Sequence, residues 1–195
     1  MHRRFRPMTT QRQPGVIPAP NRLNREFSTN VINQKWVSDF IYIDTAEGWL
    51  YLSIVLDVFS RKIVGWGMAD QMTAALVENA LCMALQTFQP YGNLMHHSDQ
   101  GSQYTGASYQ KLLSDANIQA SMSRVGNCYD NALAESFFDT LKTECVTEPF
   151  PTRDIAHITI FEYIEVWYNR QRLHSSLGYL SPEDFEKQSD KICVY

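Results

Sequence analysis

The pattern of apolar and polar positions changes character at Trp36. Before it, residues 1–30 are polar, contain Pro7, Pro14, Pro18 and Pro20, and keep neither a helical nor a strand period, which reads as an extended arm. After it come three short runs rich in β-branched and aromatic residues, WVSDFIYI, WLYLSIVLDVF and KIVGWGM, joined by the turn-sized links TAEG and SR. Such a series predicts three consecutive antiparallel strands. TAALVENALCMALQTF then places apolar residues at helical spacing, with Thr73 positioned as N-cap and Pro90 beyond the end. NLMHH predicts a short strand, residues 105–116 a helix, NIQASMS another strand and residues 124–130 a loop containing Gly126. Residues 131–145 and 153–169 predict two further helices. The order βββαβαβαα describes an α/β domain, a mixed sheet with helices on its faces.

Three acids break this pattern in ways that matter for chemistry. Alternate strand residues share a face, so Asp39 falls in phase with Val37, Ile41 and Ile43 on an apolar side. An isolated ionised carboxylate there costs several kcal/mol, which a bound metal ion would remove. A strand register shifted by one would instead leave Asp39 in water. Asp57 also interrupts an apolar run, near its end and just before Ser60-Arg61, and the pattern alone does not separate it from Asp39.

Asp99 follows NLMHH and precedes Gly101, a place where a side chain points into a crevice and equally where an ordinary Asx turn forms. In the 131–145 helix, Leu133, Phe137 and Leu141 form a core stripe, with Glu135 roughly opposite. Lys142, seven residues on, is only about 20° from Glu135 around the helix. Glu135, Asp139 and Lys142 thus share a polar face, which a merely solvated helix would also show. Three carboxylates from three elements are what a protein needs to hold two hard cations beside a phosphodiester. His96 and His97 suggest zinc far less, since neighbours on a strand face opposite ways and no third soft ligand follows.

Composition narrows the class. A 195-residue chain that is 44% hydrophobic suits one globular domain with a short appendage. No apolar run is long enough to span a bilayer, and no export signal is visible at the N-terminus. Cys82, Cys128, Cys145 and Cys193 have no metal-like spacing and read as free thiols. The formal net charge of −4 is unevenly spread. Residues 1–35 carry seven basic side chains against one acid, and the rest carries ten against twenty. A basic arm ahead of an acidic body fits one that follows a phosphate backbone, though a solvated tail has the same composition.

Four strings, NQKWVSDFIYI, GWLYLSIVLDVFSRKIVGW, HHSDQGSQYT and SRVGNCYDNALAESFFDTLKTE, together with YNRQRLHSSLGYLSPEDF, resemble a known family. They are similar to the OrfB-type transposases of bacterial insertion sequences, whose catalytic domain is retroviral-integrase-like (DDE, integrase core). The resemblance implies an RNase H-like fold, a mixed five-stranded sheet with three antiparallel strands first, flanked by helices. It implies that Asp39, Asp99 and Glu135 are the catalytic, metal-binding triad rather than Asp57. It also implies that Lys142 contacts DNA near the cleaved end. Where many relatives have Thr two residues after the first acid, this chain has Ile41, a change expected to alter the ligands' surroundings rather than the ligands.

The expected division is a basic arm at 1–30, an integrase-core catalytic domain at 31–186 and a C-terminal tail at 187–195. The family's upstream helix-turn-helix is not legible in residues 1–35, so the chain is expected to be an excised catalytic part. The resemblance further implies two Mg²⁺ ions (Mn²⁺ as substitute), DNA ends and target as partners, and a homo-oligomer in the synaptic complex. It implies no membrane partner, no small-molecule substrate and a bacterial cytoplasmic location. Arg124, Arg170 and Arg172 join Lys142 as candidate phosphate contacts, while Tyr168 and His174 are expected mainly to pack the C-terminal segment. The loop at 124–130 is expected to be mobile until DNA or metal orders it. Two rival functions stay open: an RNase H-like nuclease without strand transfer, and a remnant that binds DNA or full-length transposase without turnover.

Overall fold

The first three runs pair as predicted. The computed structural model describes residues 17–88, 92–124 and 131–192. In it β1 (Lys35–Thr45), β2 (Gly48–Asp57) and β3 (Ile63–Ala69) form an antiparallel meander. β4 (Met95–Ser98) and β5 (Gln119–Met122) add parallel strands on the far side of β1, giving a five-stranded sheet in the order β3-β2-β1-β4-β5. The helices are α1 (Ala74–Thr87), α2 (Ser102–Thr105), α3 (Ala107–Asp115), α4 (Ala132–Glu144), α5 (Arg153–Glu162) and α6 (Pro182–Ile192). The tail read at 187–195 begins inside α6.

Strand alternation sends side chains into two separate cores. Trp36, Phe40 and Val55 meet α1 and α3 on one face, through Val77, Leu81, Tyr109 and Leu113. Val37, Ile43, Ile54 and Leu56 meet α4 and α5 on the other, through Phe137, Leu141 and Ile160. α1 lies unusually close to β3. A Cβ on Gly65 would sit 2.2 Å from the Ala80 carbonyl oxygen, so only glycine admits the helix at that depth. Part of the stretch read as an arm is seated on the body. Leu23 is fully buried, and the N–H groups of Arg22 and Leu23 donate to Ser121 Oγ at 2.9 and 3.2 Å.

Thr73 is the N-cap of α1, as read, without a side-chain capping hydrogen bond. Two local readings need correcting. The α4 core stripe is Ala134, Phe137, Phe138 and Leu141, with Leu133 only partly buried at its margin. The helix predicted at 153–169 stops being α at Glu162, and Tyr163–Tyr168 continues as a π-helical turn. The wider turn carries an extra residue, and so swings Tyr163 and Tyr168, five apart, onto one buried side with rings 6.2 Å apart. The loop expected at 124–130 falls outside the described residues from 125 onward.

The segment after this turn closes the open edge of the sheet. Asn169 Oδ1 accepts from the Ile63 N–H at 2.9 Å and its Nδ2 donates to the Ile63 carbonyl at 3.0 Å, so one side chain completes the first rung of β3. Asn169→Ala would strand both buried backbone groups, and is expected to destabilise the protein by about 2–3 kcal/mol in urea unfolding. A loss below about 0.5 kcal/mol would show that water replaces the amide without penalty.

Candidate active site

Two of the three acids are brought together by strand register. β1 and β4 run parallel, with Trp36 opposite His96 and Val37 opposite His97. Carried two residues further, the same offset sets Asp99, just past the end of β4, level with Asp39; neighbouring strands lie about 4.8 Å apart. The buried rungs below are fixed by polar side chains. His96 Nε2 lies 2.7 Å from Ser38 Oγ and 2.9 Å from Tyr109 Oη, and His97 Nδ1 lies 2.9 Å from Ser121 Oγ. Burial, then His97, push the His96 imidazole down to about 3, so it is neutral and structural. Among the described residues, no three His, Cys, Asp or Glu side chains are gathered tightly enough to hold one ion, which applies to Asp39, Asp99 and Glu135 together as well as to His96, His97 and Asp99.

Each acid is oriented locally. Asp39 Oδ1 accepts from the Phe40 N–H at 2.8 Å. Asp99 Oδ1 accepts from the Gly101 N–H at 2.8 Å, and a Cβ on Gly101 would come within 2.9 Å of that same oxygen. Gln100 Nε2 donates to the Ser123 carbonyl at 2.8 Å, tying the turn to the end of β5. Glu135 is exposed in the first turn of α4, which packs across β1 and β2.

The acids feel one another. Burial first, then the negative charge of Asp99 and, more weakly, that of Glu135, push the Asp39 carboxyl up to about 7, against hydrogen bonds from Phe40 N–H and Asn131. Burial and then Asp139 raise the Glu135 carboxyl as well. The influence is seen at Asp39, the most enclosed of the three, while Glu135 responds to Asp139 on its own helix.

Asp57 is placed differently. Its Oδ2 accepts from the Asn33 N–H at 2.7 Å, and its Oδ1 accepts from the N–H groups of Phe59 and Ser60 at 2.9 Å and from Ser60 Oγ at 3.2 Å. Burial raises its carboxyl to about 6. Its lone pairs are spent on the turn after β2.

With this geometry in hand, the comparisons are informative. The integrase core domain family model matches residues 30–128, and a second integrase core domain model matches residues 135–189. The transposase of insertion sequence element IS904 from Lactococcus lactis is 48% identical over 90% of this chain and 70% of its own length. The chain belongs to the integrase core family of insertion-sequence transposases. Transposase InsF for insertion sequence IS3fB from Escherichia coli is 47% identical over 96% of this chain, and the chain spans 65% of that relative's length. In fold it is similar to the simian T-cell lymphotropic virus intasome, solved with the PP2A regulatory subunit B56 gamma (TM-score 0.68, 14% identity, 90% of this chain and 60% of that one). It is also similar to the HTLV-2 integrase catalytic core domain solved with magnesium in a trimeric form (TM-score 0.59, 13% identity, 82% of this chain and 99% of that one).

In this integrase core the basic candidates come from several segments of the chain. Lys142 is exposed on α4, and Arg124 is exposed two residues past β5. Arg170 Nε is 3.4 Å from Glu183 Oε2, and Arg172 Nε is 2.9 Å from Glu144 Oε1. Burial works against the Glu144 charge, but hydrogen bonds from Tyr163, Arg172 and Trp167 hold its carboxyl below the ordinary value. Tyr168 packs edge-on against Phe137 and His174, with centroids 4.8 and 5.0 Å away. Burial and then Arg172 push His174 down to about 4.

One residue was missed. Asn131 begins α4, makes no capping bond, and turns its side chain back to β1, where Nδ2 is 3.5 Å from the Ser38 carbonyl and the amide also bonds Asp39. Its buried Oδ1 has no hydrogen-bond partner. In sequence an Asn here looks like an ordinary helix cap.

The Asp39 shift carries a stability consequence. Its folded value of about 7 exceeds the ordinary 3.8, so the folded state binds more protons between those values and loses stability as pH rises from about 4 to about 7. Without divalent metal at pH 8, Asp39→Asn should be more stable than wild type by about 1–3 kcal/mol, converging with it near pH 4. Asp57 contributes equally to both proteins. Thermal melts in EDTA across this range decide the matter, and an Asn variant no more stable at pH 8 contradicts the charge cost.

Proposed function

We propose that this domain cleaves DNA at insertion-sequence ends and transfers the resulting 3′ ends to a target, with Asp39, Asp99 and Glu135 as the catalytic carboxylates. The observation that carries this is the β1–β4 register that sets Asp99 level with Asp39, with Glu135 on the helix that packs across β1. The donor set is all oxygen and anionic, the charges of both other acids act on Asp39, and Asn131, whose amide bonds Asp39, has a buried Oδ1 without a hydrogen-bond partner. That chemistry suits hard cations, two Mg²⁺ or in substitution Mn²⁺, with Asp39 shared, Asp99 completing one site and Glu135 the other. Bound there, the ions would supply Lewis-acid polarisation of the attacking and leaving oxygens. The HTLV-2 integrase core solved with magnesium is consistent with that choice.

The chain's own residues supply orientation. The Phe40 and Gly101 N–H groups hold the Asp39 and Asp99 carboxylates in place before any substrate arrives. Lys142 shares the exposed side of α4 with Glu135 and would engage a phosphate near the cut, with Arg124 and Arg170 as further positioning contacts. The basic side chains of the stretch at 1–30, whose Arg22–Leu23 part is seated on the catalytic unit read at 31–186, would contact the DNA backbone. Reaction at paired ends calls for more than one copy, so the working form is a homo-oligomer on DNA.

Glu135→Gln should reduce Mg²⁺-dependent strand cleavage roughly a thousandfold or more, with an unchanged melting profile. Retained cleavage refutes the assignment. Duplexes carrying pre-cleaved 3′ ends separate the rival enzyme class, because joining to a second duplex identifies a transposase and hydrolysis alone identifies a nuclease.

A further inference from the structure

A cavity of about 490 Å³ opens beside α4, lined among others by Arg61, Ser136, Thr140, Tyr168, Arg172 and His174. We propose that it binds a backbone phosphate of the DNA strand whose neighbouring bond lies at Glu135, with Arg61 as its principal contact. This rests on the nucleic-acid reading above and extends it to a site outside the carboxylates.

Arg61 is the odd residue. It sits in the turn between β2 and β3 at φ 64°, a left-handed conformation that favours glycine or asparagine, so the turn itself does not call for arginine. Its side chain is partly buried, and burial lowers its pKa, yet an arginine stays charged. Nη1 is fully buried with no hydrogen-bond partner. Asp57 is nearby, but its oxygens already accept from Asn33, Phe59 and Ser60. A partly buried cation with an unused donor is costly in the free protein, and an anion entering the cavity that Arg61 lines would offset that cost.

The walls suit the same ligand. None of the residues lining the cavity is acidic. Arg172 makes both bonds to Glu144 through Nε, at 2.9 and 3.1 Å, while Nη1 turns to within 3.5 Å of His174 Nε2. The fork's outer end therefore lies on the side away from its carboxylate. Tyr179, 70% exposed at the rim, offers a ring face to a sugar or base.

A path joins the cavity to the proposed catalytic centre. A shallower groove along α4 is lined by Glu135 and Asp139 and shares Ser136, Thr140 and Arg172 with the cavity. Four residues of helix advance about 6 Å, so a strand laid along α4 can present one phosphate near Glu135 and another toward Arg61. The C-terminal string containing Arg172 and His174 thereby gains a role beyond packing.

The test measures binding of a short fluorescein-labelled duplex by anisotropy in EDTA over a series of salt concentrations. Arg61→Met should be at least as stable as wild type, because it removes a buried unpaired charge, yet bind about tenfold more weakly with a salt slope smaller by about 1. A methylphosphonate moved along one strand should weaken wild-type binding at one position and leave Arg61→Met unaffected there. An unchanged slope, or identical scans for the two proteins, overturns the proposal. On the unaltered protein, the Arg61 side-chain ¹⁵N signals should shift on adding the duplex, and that measurement decides if the variant does not fold; unmoved signals overturn it. A response to inorganic phosphate with none to DNA assigns the cavity to a free anion and overturns it too. Because no metal is present, DNA binding through Arg61 without any cleavage activity would refute only the catalytic reading. Cleavage with an unaltered Arg61→Met slope would refute only this one.

Discussion

Val37 and His97 lie opposite each other across the parallel β1–β4 ladder, and the juxtaposition of Asp39 and Asp99 follows from that pairing. Parallel strands joined through α1 cannot slip by one residue without turning a whole apolar set outward. Trp36 and Val37 are both fully buried on opposite faces, so the register is locked from both sides. Ser38, His96 and Tyr109 lock it again through hydrogen bonds under the sheet. Rigidity just below the acids allows two like charges to be held side by side.

That juxtaposition is unfavourable in the free protein. Asp39 is pushed up because burial and its neighbours oppose its charge, whereas Asp57, also buried, has its oxygens satisfied by the backbone. Two aspartates in similar sequence settings therefore do opposite jobs. One completes a turn, and the other is left with its charge opposed by its surroundings. Arg61 shows the mirror image, a cation short of an anion.

Much of this was legible in the sequence, and the exceptions are physical. The meander, the two parallel strands and α4 follow from periods of 2 and 3.6 sustained over enough residues to be distinct. The phase of Asp39 with Val37 and Ile43 came from the same alternation. The π turn at Tyr163–Tyr168 was hidden because one widened turn hardly disturbs a helical pattern. Asn131 and Thr73 both occupy helix starts, and nothing local distinguishes a cap from a side chain that reaches across to β1. Arg61 reads as a solvated turn residue until the C-terminal segment folds over it, a contact between positions more than a hundred residues apart. Choosing Asp39 over Asp57 required the family resemblance.

The amide of Asn169 on Ile63 also bears on how copies of this chain can meet. An exposed sheet margin normally invites a strand from another molecule to zip alongside. Here the first backbone donor and acceptor of β3 are already occupied by a side chain from the same chain, backed by the Asn169 carbonyl's bond to the Glu183 N–H. Sheet-to-sheet polymerisation through that border is blocked at its first step, which steers self-association toward helical surfaces or DNA.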